Sequence, residues 1–334
     1  MVPSVETTLT SNVGQVPSPV ESTVKEPNFF IVGAPRAGTT SLWQYLRQHP
    51  DVFMPPNELT KEPGHFCEFI PPWAPYFVHL EEYLKIFAPA NGQRAIGEAS
   101  TGYLWSRQAA GRIRGRYPRA RIIIMLRNPA GRAFSHYRLL CELGFERSKT
   151  FERALSVEDE RFARYEQGGP LSLDPFWYCA SFYYRLGLYA DQIPRYLALF
   201  PRDRIHFVLF EDLNRRPVET TREVFQFLGV DPSFEPDIKV HNKSYFPLSV
   251  GAQCVIGQRW NLHPVGPRTR RPRLRDYTAL PAAFMANLWL GNVFRKVTLD
   301  PSTRRDLLRR YESDIQRTSK IIGRNLDHWM KDRA

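Results

Sequence analysis

The stretch NFFIVGAPRAGTTSLWQYLRQH, residues 28–49, decides the fold. It opens with a nearly continuous apolar run, which is typical of a parallel strand buried on both faces. A short loop follows at Gly33, and the apolar residues after it, at 42, 43, 45 and 46, have the spacing of a helix packed against a sheet. A buried strand, a glycine-containing loop and a helix in direct succession predict an anion-binding loop.

This loop, residues 33–40, has the G-x-x-x-x-G spacing of nucleotide triphosphatases. Those enzymes need lysine at the next position, where this chain has Thr39, and the cation here lies two places before the second glycine, at Arg36. We predict that an anion is bound by Arg36 and by the start of the helix, residues Ala37, Gly38, Thr39, Thr40 and Ser41. A tight turn without a ligand is the alternative.

Three further apolar segments predict strands: RAIGEAS (94–100), RIIIML (121–126) and RIHFVLFEDL (204–213). Helical spacing separates them and follows them, so we predict an α/β fold, a single domain with a central parallel sheet flanked by helices. The domain should span 28–334, with a disordered tail at 1–27 and a long loop at about 231–280. The predicted helices after the third strand are 131–143, 176–200, 216–229 and 301–329.

A second anion motif follows the strand at 121–126. Arg127 stands at the strand end, and Ser135 lies in the helix that comes next. A guanidinium offers two parallel donors to a phosphate and a serine hydroxyl adds a third, although a plain helix cap would also place these residue types here. Two anion sites on neighbouring strand ends fit one nucleotide that carries phosphate groups at both ends.

The two motifs, GAPRAGTT (33–40) and LRNPAGRAFSHY (126–137), resemble those of sulfotransferases that use 3′-phosphoadenosine 5′-phosphosulfate (PAPS), especially the heparan-sulfate-type and bacterial carbohydrate branch. The resemblance continues through 189–205, FEDL and FLGV, and covers about residues 28–330. It implies a P-loop-like fold in which the first loop grips the 5′-phosphosulfate, while Arg127 and Ser135 bind the 3′-phosphate. Relatives usually carry lysine where this chain has Arg36. The planar guanidinium of arginine and the compact ammonium of lysine differ as partners for the leaving group.

The segment KEPGHF, residues 61–66, resembles the K-E-x-H-F-F element of the same family. The resemblance implies that Glu62 is the base that deprotonates the acceptor, with Arg36 and His65 as the other catalytic candidates and Lys61 beside the acceptor. Gly64 is one residue more than the family pattern has, which leaves the orientation of His65 open. A solvated Lys-Glu pair is the alternative interpretation.

Glu98 is a second carboxylate, at the end of the predicted strand 94–100. Relatives often carry E-K-S there with the lysine in the active site, whereas this chain has Ala99. We interpret Glu98 as a group that supports the site or orients the acceptor.

The net charge of +12 favours an anionic partner but does not identify it. Four dispersed cysteines and an N-terminal segment without a basic start or an apolar run predict a cytoplasmic protein with no membrane span. The histidines and cysteines lack metal-ligand spacing, so we expect no metal. Five arginines at 268–275 fit a lid over the nucleotide, a patch for an acidic acceptor, or a solvated charge run.

The expected function is transfer of the sulfuryl group of PAPS to an acceptor, a hydroxyl of a small molecule, lipid or carbohydrate, with adenosine 3′,5′-bisphosphate as the product. A kinase or nucleotide triphosphatase is disfavoured by Thr39. A basic nucleic-acid-binding protein is disfavoured because the cations are spread over several segments without an RNA-binding signature. Oligomeric state and acceptor identity do not follow from the sequence.

Overall fold

The centre of the fold is a five-stranded parallel sheet. It is seen in a computed structural model that describes residues 25–68, 79–167, 181–238, 246–247, 249–259, 294–295 and 297–331. The strands lie in the order β2-β3-β1-β4-β5 and every neighbouring pair is parallel. Their bounds are β1 Phe29–Ile31, β2 Val52–Phe53, β3 Ala95–Glu98, β4 Arg121–Leu126 and β5 Ile205–Leu209. The predicted α/β class is confirmed.

The middle strand β1 is fully buried, as its apolar run predicts, and β4 beside it is buried from Ile122 to Leu126. Four of the five strands coincide with predicted segments. The edge strand β2 was not predicted, because two residues are too few to show any period.

Helices cover the sheet and extend past it. Their bounds are α1 Thr39–Leu46, α2 Glu58–Lys61, α3 Leu80–Lys85, α4 Ala109–Arg116, α5 Pro129–Glu142, α6 Phe151–Ser156, α7 Glu158–Glu166, α8 Tyr189–Leu197, α9 Phe210–Arg215, α10 Pro217–Leu228, α11 Val250–Arg259, α12 Pro301–Ile322 and α13 Asp327–Met330. A short antiparallel pair, β6 Phe246–Pro247 and β7 Phe294–Arg295, lies outside the main sheet.

Local signals explain where two of the predicted helices begin and end. The side chain of Asn128 accepts a hydrogen bond from the N–H of Gly131, and proline follows at the first helical position, so α5 begins at Pro129. Gly229 ends α10 in the left-handed conformation, as the sequence predicts. Gly323 ends α12 in the same way, so the predicted single helix 301–329 is in fact two helices.

Two other predictions need correction. The predicted loop at 231–280 contains β6 and the ten-residue α11, so it is not irregular throughout. Of the predicted helix 176–200, the structure describes residues 181–200. They form a short 3₁₀ turn at Arg185–Gly187 and then α8, so the α-helix in this part is shorter than predicted. The arginines at 268–275 and residues 1–24 lie outside the described residues. Glu26, assigned to the tail, forms an ion pair with Arg116.

Helices α12 and α13 brace the residues that directly follow β4. Asp314 of α12 accepts hydrogen bonds from the backbone N–H groups of Tyr189 and Ala190, at the start of α8. The carbonyl oxygen of Trp329 in α13 accepts a hydrogen bond from the side chain of Asn128. These contacts fix the position from which Arg127 projects.

Candidate functional site

The loops that follow β1 and β4 meet because the two strands are neighbours. The Arg127 guanidinium donates a hydrogen bond of 2.9 Å to the carbonyl oxygen of Arg36. The Arg36 side chain in turn donates a hydrogen bond of 3.1 Å from Nε to the hydroxyl oxygen of Ser135. The structure thus brings together the three side chains that the two sequence motifs predicted as anion ligands.

The start of α1 faces this cluster with backbone donors. Gly38 precedes the helix in the left-handed conformation, and no side chain of the described residues caps the first turn. The first N–H groups of a helix have no acceptor within it and favour an anion. Thr39 is buried, and Thr40 and Ser41 are half-buried. The first turn therefore has the kind of backbone donors that the predicted anion ligand would need.

Replacement of Gly38 by alanine is expected to weaken nucleotide binding. A Cβ at Gly38, where φ is 89°, would lie 2.9 Å from the ring of Phe210. Gly92 has a similar φ of 82° but no described atom within 4 Å of the added Cβ. Both alanine variants should lose about 1–2 kcal/mol of unfolding free energy to backbone strain. Calorimetry with adenosine 3′,5′-bisphosphate should show weaker binding in Gly38→Ala alone; an equal loss in Gly92→Ala would contradict this role.

Several guanidinium groups meet in the cluster. Burial and the neighbouring Arg36 lower the pKa of Arg127 to about 10, and burial also lowers the pKa of Arg36. Both remain protonated at neutral pH. Arg132 is fully buried, adds a third guanidinium and interacts electrostatically with Glu158. Glu211 is an opposite charge that acts on Arg127, and Glu142 and Glu62 are opposite charges that act on Arg36, so the guanidinium groups lie among carboxylates.

Stacking holds the Arg127 guanidinium in place. It lies over the ring of Phe210, 4.3 Å from the ring centroid, and the hydroxyl of Tyr189 donates a hydrogen bond of 2.9 Å to the Arg127 carbonyl oxygen. A planar guanidinium fixed on one face can present its edge to a phosphate. The donor set of the cluster therefore fits a nucleotide with more than one phosphate group.

Two charged residues of α5 belong to the same region and were not predicted. Arg138 and Glu142 lie three and seven residues after Ser135, so the three share one face of the helix. Glu142 is the largest attractive charge acting on Arg36, ahead of Glu62, while Arg138 acts against it. The helical spacing in the sequence could have revealed both residues.

The candidate base Glu62 lies directly after α2. One of its carboxylate oxygens accepts a hydrogen bond of 2.5 Å from the ammonium of Lys61, and the other accepts one of 2.8 Å from the hydroxyl of Thr101. The Lys61 side chain is only 4% exposed, whereas that of Glu62 is 25% exposed. The pair is therefore not a solvated loop pair. Glu62 interacts electrostatically with Arg36, so the structure places it near the anion cluster.

The extra residue Gly64 forms a left-handed turn. Its φ is 65°, and its carbonyl oxygen accepts a hydrogen bond from the N–H of Cys67. The turn presents the imidazole of His65 parallel to the ring of Tyr83, with 4.4 Å between the centroids. The insertion thus fixes the orientation that the sequence left open.

Glu98 is fully buried at the end of β3. Its carboxylate accepts hydrogen bonds from the hydroxyls of Tyr83, Tyr103 and Ser100. Burial raises its pKa to about 7, although the three hydrogen bonds act in the opposite direction. With no exposed surface, Glu98 does not orient an acceptor by direct contact, so of its two predicted roles only support of the site fits the structure.

The buried carboxylate of Glu98 should make stability depend on pH. Its pKa is higher in the folded protein than the usual 4.5, so the folded state binds the proton more tightly. Unfolding free energy should therefore fall by up to about 3 kcal/mol as pH rises from about 4.5 to about 7, and stay level above that. Chemical denaturation across this range should show a shallower fall in Glu98→Gln. Asp314, with a pKa of about 6, contributes the same pH dependence of stability to wild type and to Glu98→Gln. If unfolding free energy fell with pH equally in the two proteins, the assignment to Glu98 would be refuted.

Two further properties concern the described residues only. No helix among them is long and apolar enough to span a membrane. They also contain no group of three or more histidine, cysteine or acidic side chains able to hold a metal ion.

A central parallel sheet with two candidate anion-binding loops at adjacent strand ends is typical of a P-loop-like α/β fold. A family model described as a sulfotransferase domain matches residues 113–256, and a second, described as a sulfotransferase family, matches residues 27–68. The fold is similar to the crystal structure of a sulfotransferase from Alicyclobacillus acidocaldarius, with a TM-score of 0.65 and 31% sequence identity. The match covers 92% of this chain and 100% of that chain. The chain belongs to the sulfotransferase family.

Curated relatives agree with this assignment. Heparan sulfate glucosamine 3-O-sulfotransferase 6 of Homo sapiens is 28% identical over 257 residues, which are 76% of this chain and 66% of the relative. The bifunctional heparan sulfate N-deacetylase/N-sulfotransferase 3 of Homo sapiens is 29% identical over 213 residues, which are 62% of this chain and 23% of the relative. The chain therefore spans less than two thirds of the length of these relatives.

Proposed function

We propose that the protein transfers the sulfuryl group of PAPS to a hydroxyl of a small molecule, lipid or carbohydrate and releases adenosine 3′,5′-bisphosphate. The observation that carries this proposal is the cluster of Arg36, Arg127 and Ser135 at the ends of β1 and β4. Family membership implies PAPS as the donor. Bound PAPS would supply an activated sulfuryl group on a phosphate leaving group.

The residues of the cluster divide between the two ends of the donor. Arg36 and the N–H groups of the first turn of α1 would bind the 5′-phosphosulfate and offset the charge that grows on the leaving phosphate. Arg127, held flat on Phe210, and Ser135 would bind the 3′-phosphate. Because Arg36 donates to the Ser135 hydroxyl, both ends are held by one connected set of side chains.

Glu62 would take the proton of the acceptor hydroxyl. Its carboxylate is held by Lys61 and Thr101, while 25% of the side chain is exposed, so the group is oriented and can be approached from outside the protein. The buried ammonium of Lys61 would offset the carboxylate charge. His65, fixed against Tyr83, is the second polar group that the segment 61–66 presents to the acceptor.

The proposed reaction and the curated relatives together define the acceptor classes to test. The two curated relatives named above are heparan sulfate sulfotransferases, so a carbohydrate hydroxyl is one class to test, and lipid and small-molecule hydroxyls are the others. We also propose that transfer is independent of metal and that the protein acts in the cytoplasm.

Radiolabelled PAPS incubated with acceptor pools tests the proposal. We expect label to move to an acceptor in the presence of EDTA, and Arg127→Met to abolish most of the transfer. No labelled product in any of the three acceptor classes would contradict the proposed reaction.

The two rival functions have their own assays. Magnesium-dependent turnover of ATP would support a kinase or triphosphatase. Salt-sensitive binding in a gel-shift series would support a nucleic-acid-binding protein.

A further inference from the structure

The buried carboxylate of Glu98 joins three hydroxyls that all reach the same short segment. These hydroxyls belong to Tyr83, Ser100 and Tyr103, and their hydrogen bonds to Glu98 are 3.0, 2.5 and 2.6 Å long. They come from three places in the chain: α3, the residues directly after β3, and a 3₁₀ turn at Thr101–Tyr103. We call Glu98 and these three residues the Glu98 cluster.

Each hydroxyl residue of the cluster also holds one residue of the segment 64–66. The Ser100 hydroxyl accepts a hydrogen bond of 2.9 Å from the N–H of Gly64. The Tyr103 hydroxyl accepts one of 3.4 Å from the N–H of Phe66. The ring of Tyr83 stacks on the imidazole of His65.

The geometry points to Glu98 as a positioning residue that sets the place of the His65 imidazole, through the Glu98 cluster. This inference rests on the proposed function, because it takes His65 to face the acceptor. Glu98 itself touches no substrate, since it is fully buried. A carboxyl group suits the task because its two oxygens can accept hydrogen bonds from several O–H donors at once.

The cluster also reaches the candidate base. Thr101, whose hydroxyl binds Glu62, directly follows Ser100 at the start of the same 3₁₀ turn. The N–H of Ala99 donates a hydrogen bond to the carbonyl oxygen of Lys61, which ties β3 to the residue before Glu62. A shift of the cluster would therefore move His65 and disturb the support of Glu62 together.

The variants Tyr83→Phe and Ser100→Ala test this inference without removing the buried carboxylate. The first keeps the ring against His65 but loses its bond to Glu98, and the second loses the acceptor for Gly64. Tyr117→Phe is the matched control: its ring also packs on Phe66, but its hydroxyl bonds to Arg116.

Three quantities are measured on the full chain: the imidazole resonance of His65 in isotope-labelled protein, identified with His65→Gln; affinity for adenosine 3′,5′-bisphosphate; and kcat for sulfuryl transfer. We expect Tyr83→Phe and Ser100→Ala each to shift the resonance and to lower kcat about tenfold, with bisphosphate affinity within about twofold of wild type. Tyr117→Phe should leave all three unchanged.

An unshifted resonance in both test variants, a shifted resonance with unchanged kcat, or an equal shift in Tyr117→Phe would overturn the inference. If the wild-type protein transfers no sulfuryl group, the proposed function fails. The resonance would still decide whether the cluster positions His65, so the two failures can be told apart.

Discussion

Replacement of Glu62 by glutamine is expected to lower kcat by about 10²–10⁴-fold, the usual span for the loss of a general base. Glutamine keeps the shape of the side chain and one acceptor oxygen, but it cannot take the proton of the acceptor hydroxyl. Affinity for adenosine 3′,5′-bisphosphate should stay near that of wild type, because Glu62 is not one of the side chains proposed to bind the nucleotide. Single-turnover transfer from pre-bound PAPS measures the chemical step directly.

Two other carboxylates provide the comparison for this variant. Glu98→Gln should lower transfer far less than Glu62→Gln, because Glu98 is fully buried and touches no substrate. Glu142 is partly exposed on the α5 face near Arg36 and is the stronger rival. If Glu142→Gln abolished transfer while Glu62→Gln stayed within a few-fold of wild type, Glu142 would be the base instead.

Replacement of Arg127 by methionine should selectively weaken the binding of the 3′-phosphate. Charge-assisted contacts to a phosphate contribute about 1.5–3 kcal/mol each, which is roughly ten- to over a hundredfold in affinity. Wild-type protein should therefore bind adenosine 3′,5′-bisphosphate far more tightly than 5′-AMP, and Arg127→Met should remove most of that difference. Calorimetry with both nucleotides measures it.

Arg202→Met is the matched control for this variant. The Arg202 guanidinium also packs on a phenylalanine ring, 5.0 Å from the centroid of Phe207. It lies before the amino end of β5, whereas the site lies at the carboxyl ends of the parallel strands. It should leave both affinities unchanged. Equal affinities of the wild-type protein for the two nucleotides would show that the second motif binds something else.

The long strands and the two loops could be predicted from the sequence because each carries a local pattern. The run before Gly33 and the run 121–126 are apolar without interruption, and a parallel sheet brings loops at the ends of neighbouring strands together. That rule alone places Arg127 beside Arg36. Local spacing could not reveal β2, which is two residues long.

The Glu98 cluster could not be predicted because its members meet only through tertiary packing. Tyr83 and Glu98 are separated by 15 residues and belong to a helix and a strand. Nothing in the local sequence distinguishes a buried carboxylate from one that faces a substrate. The electrostatic contact of Glu142 with Arg36 was missed for a different reason. The helical spacing places Glu142 on the same face as Ser135, but it does not show that Arg36 packs against that face.

The contacts of α12 and α13 with the end of β4 have a consequence for synthesis. Asn128, next to Arg127, donates to the Trp329 carbonyl oxygen, and the helix that carries Tyr189 is capped by Asp314. A nascent chain would therefore emerge from the ribosome with its sheet complete but with the proposed 3′-phosphate site still unbraced. Ribosome-bound intermediates that lack residues after about 300 should be compact yet poor at retaining nucleotide, so full binding competence would arise only after α12 and α13 have been synthesised.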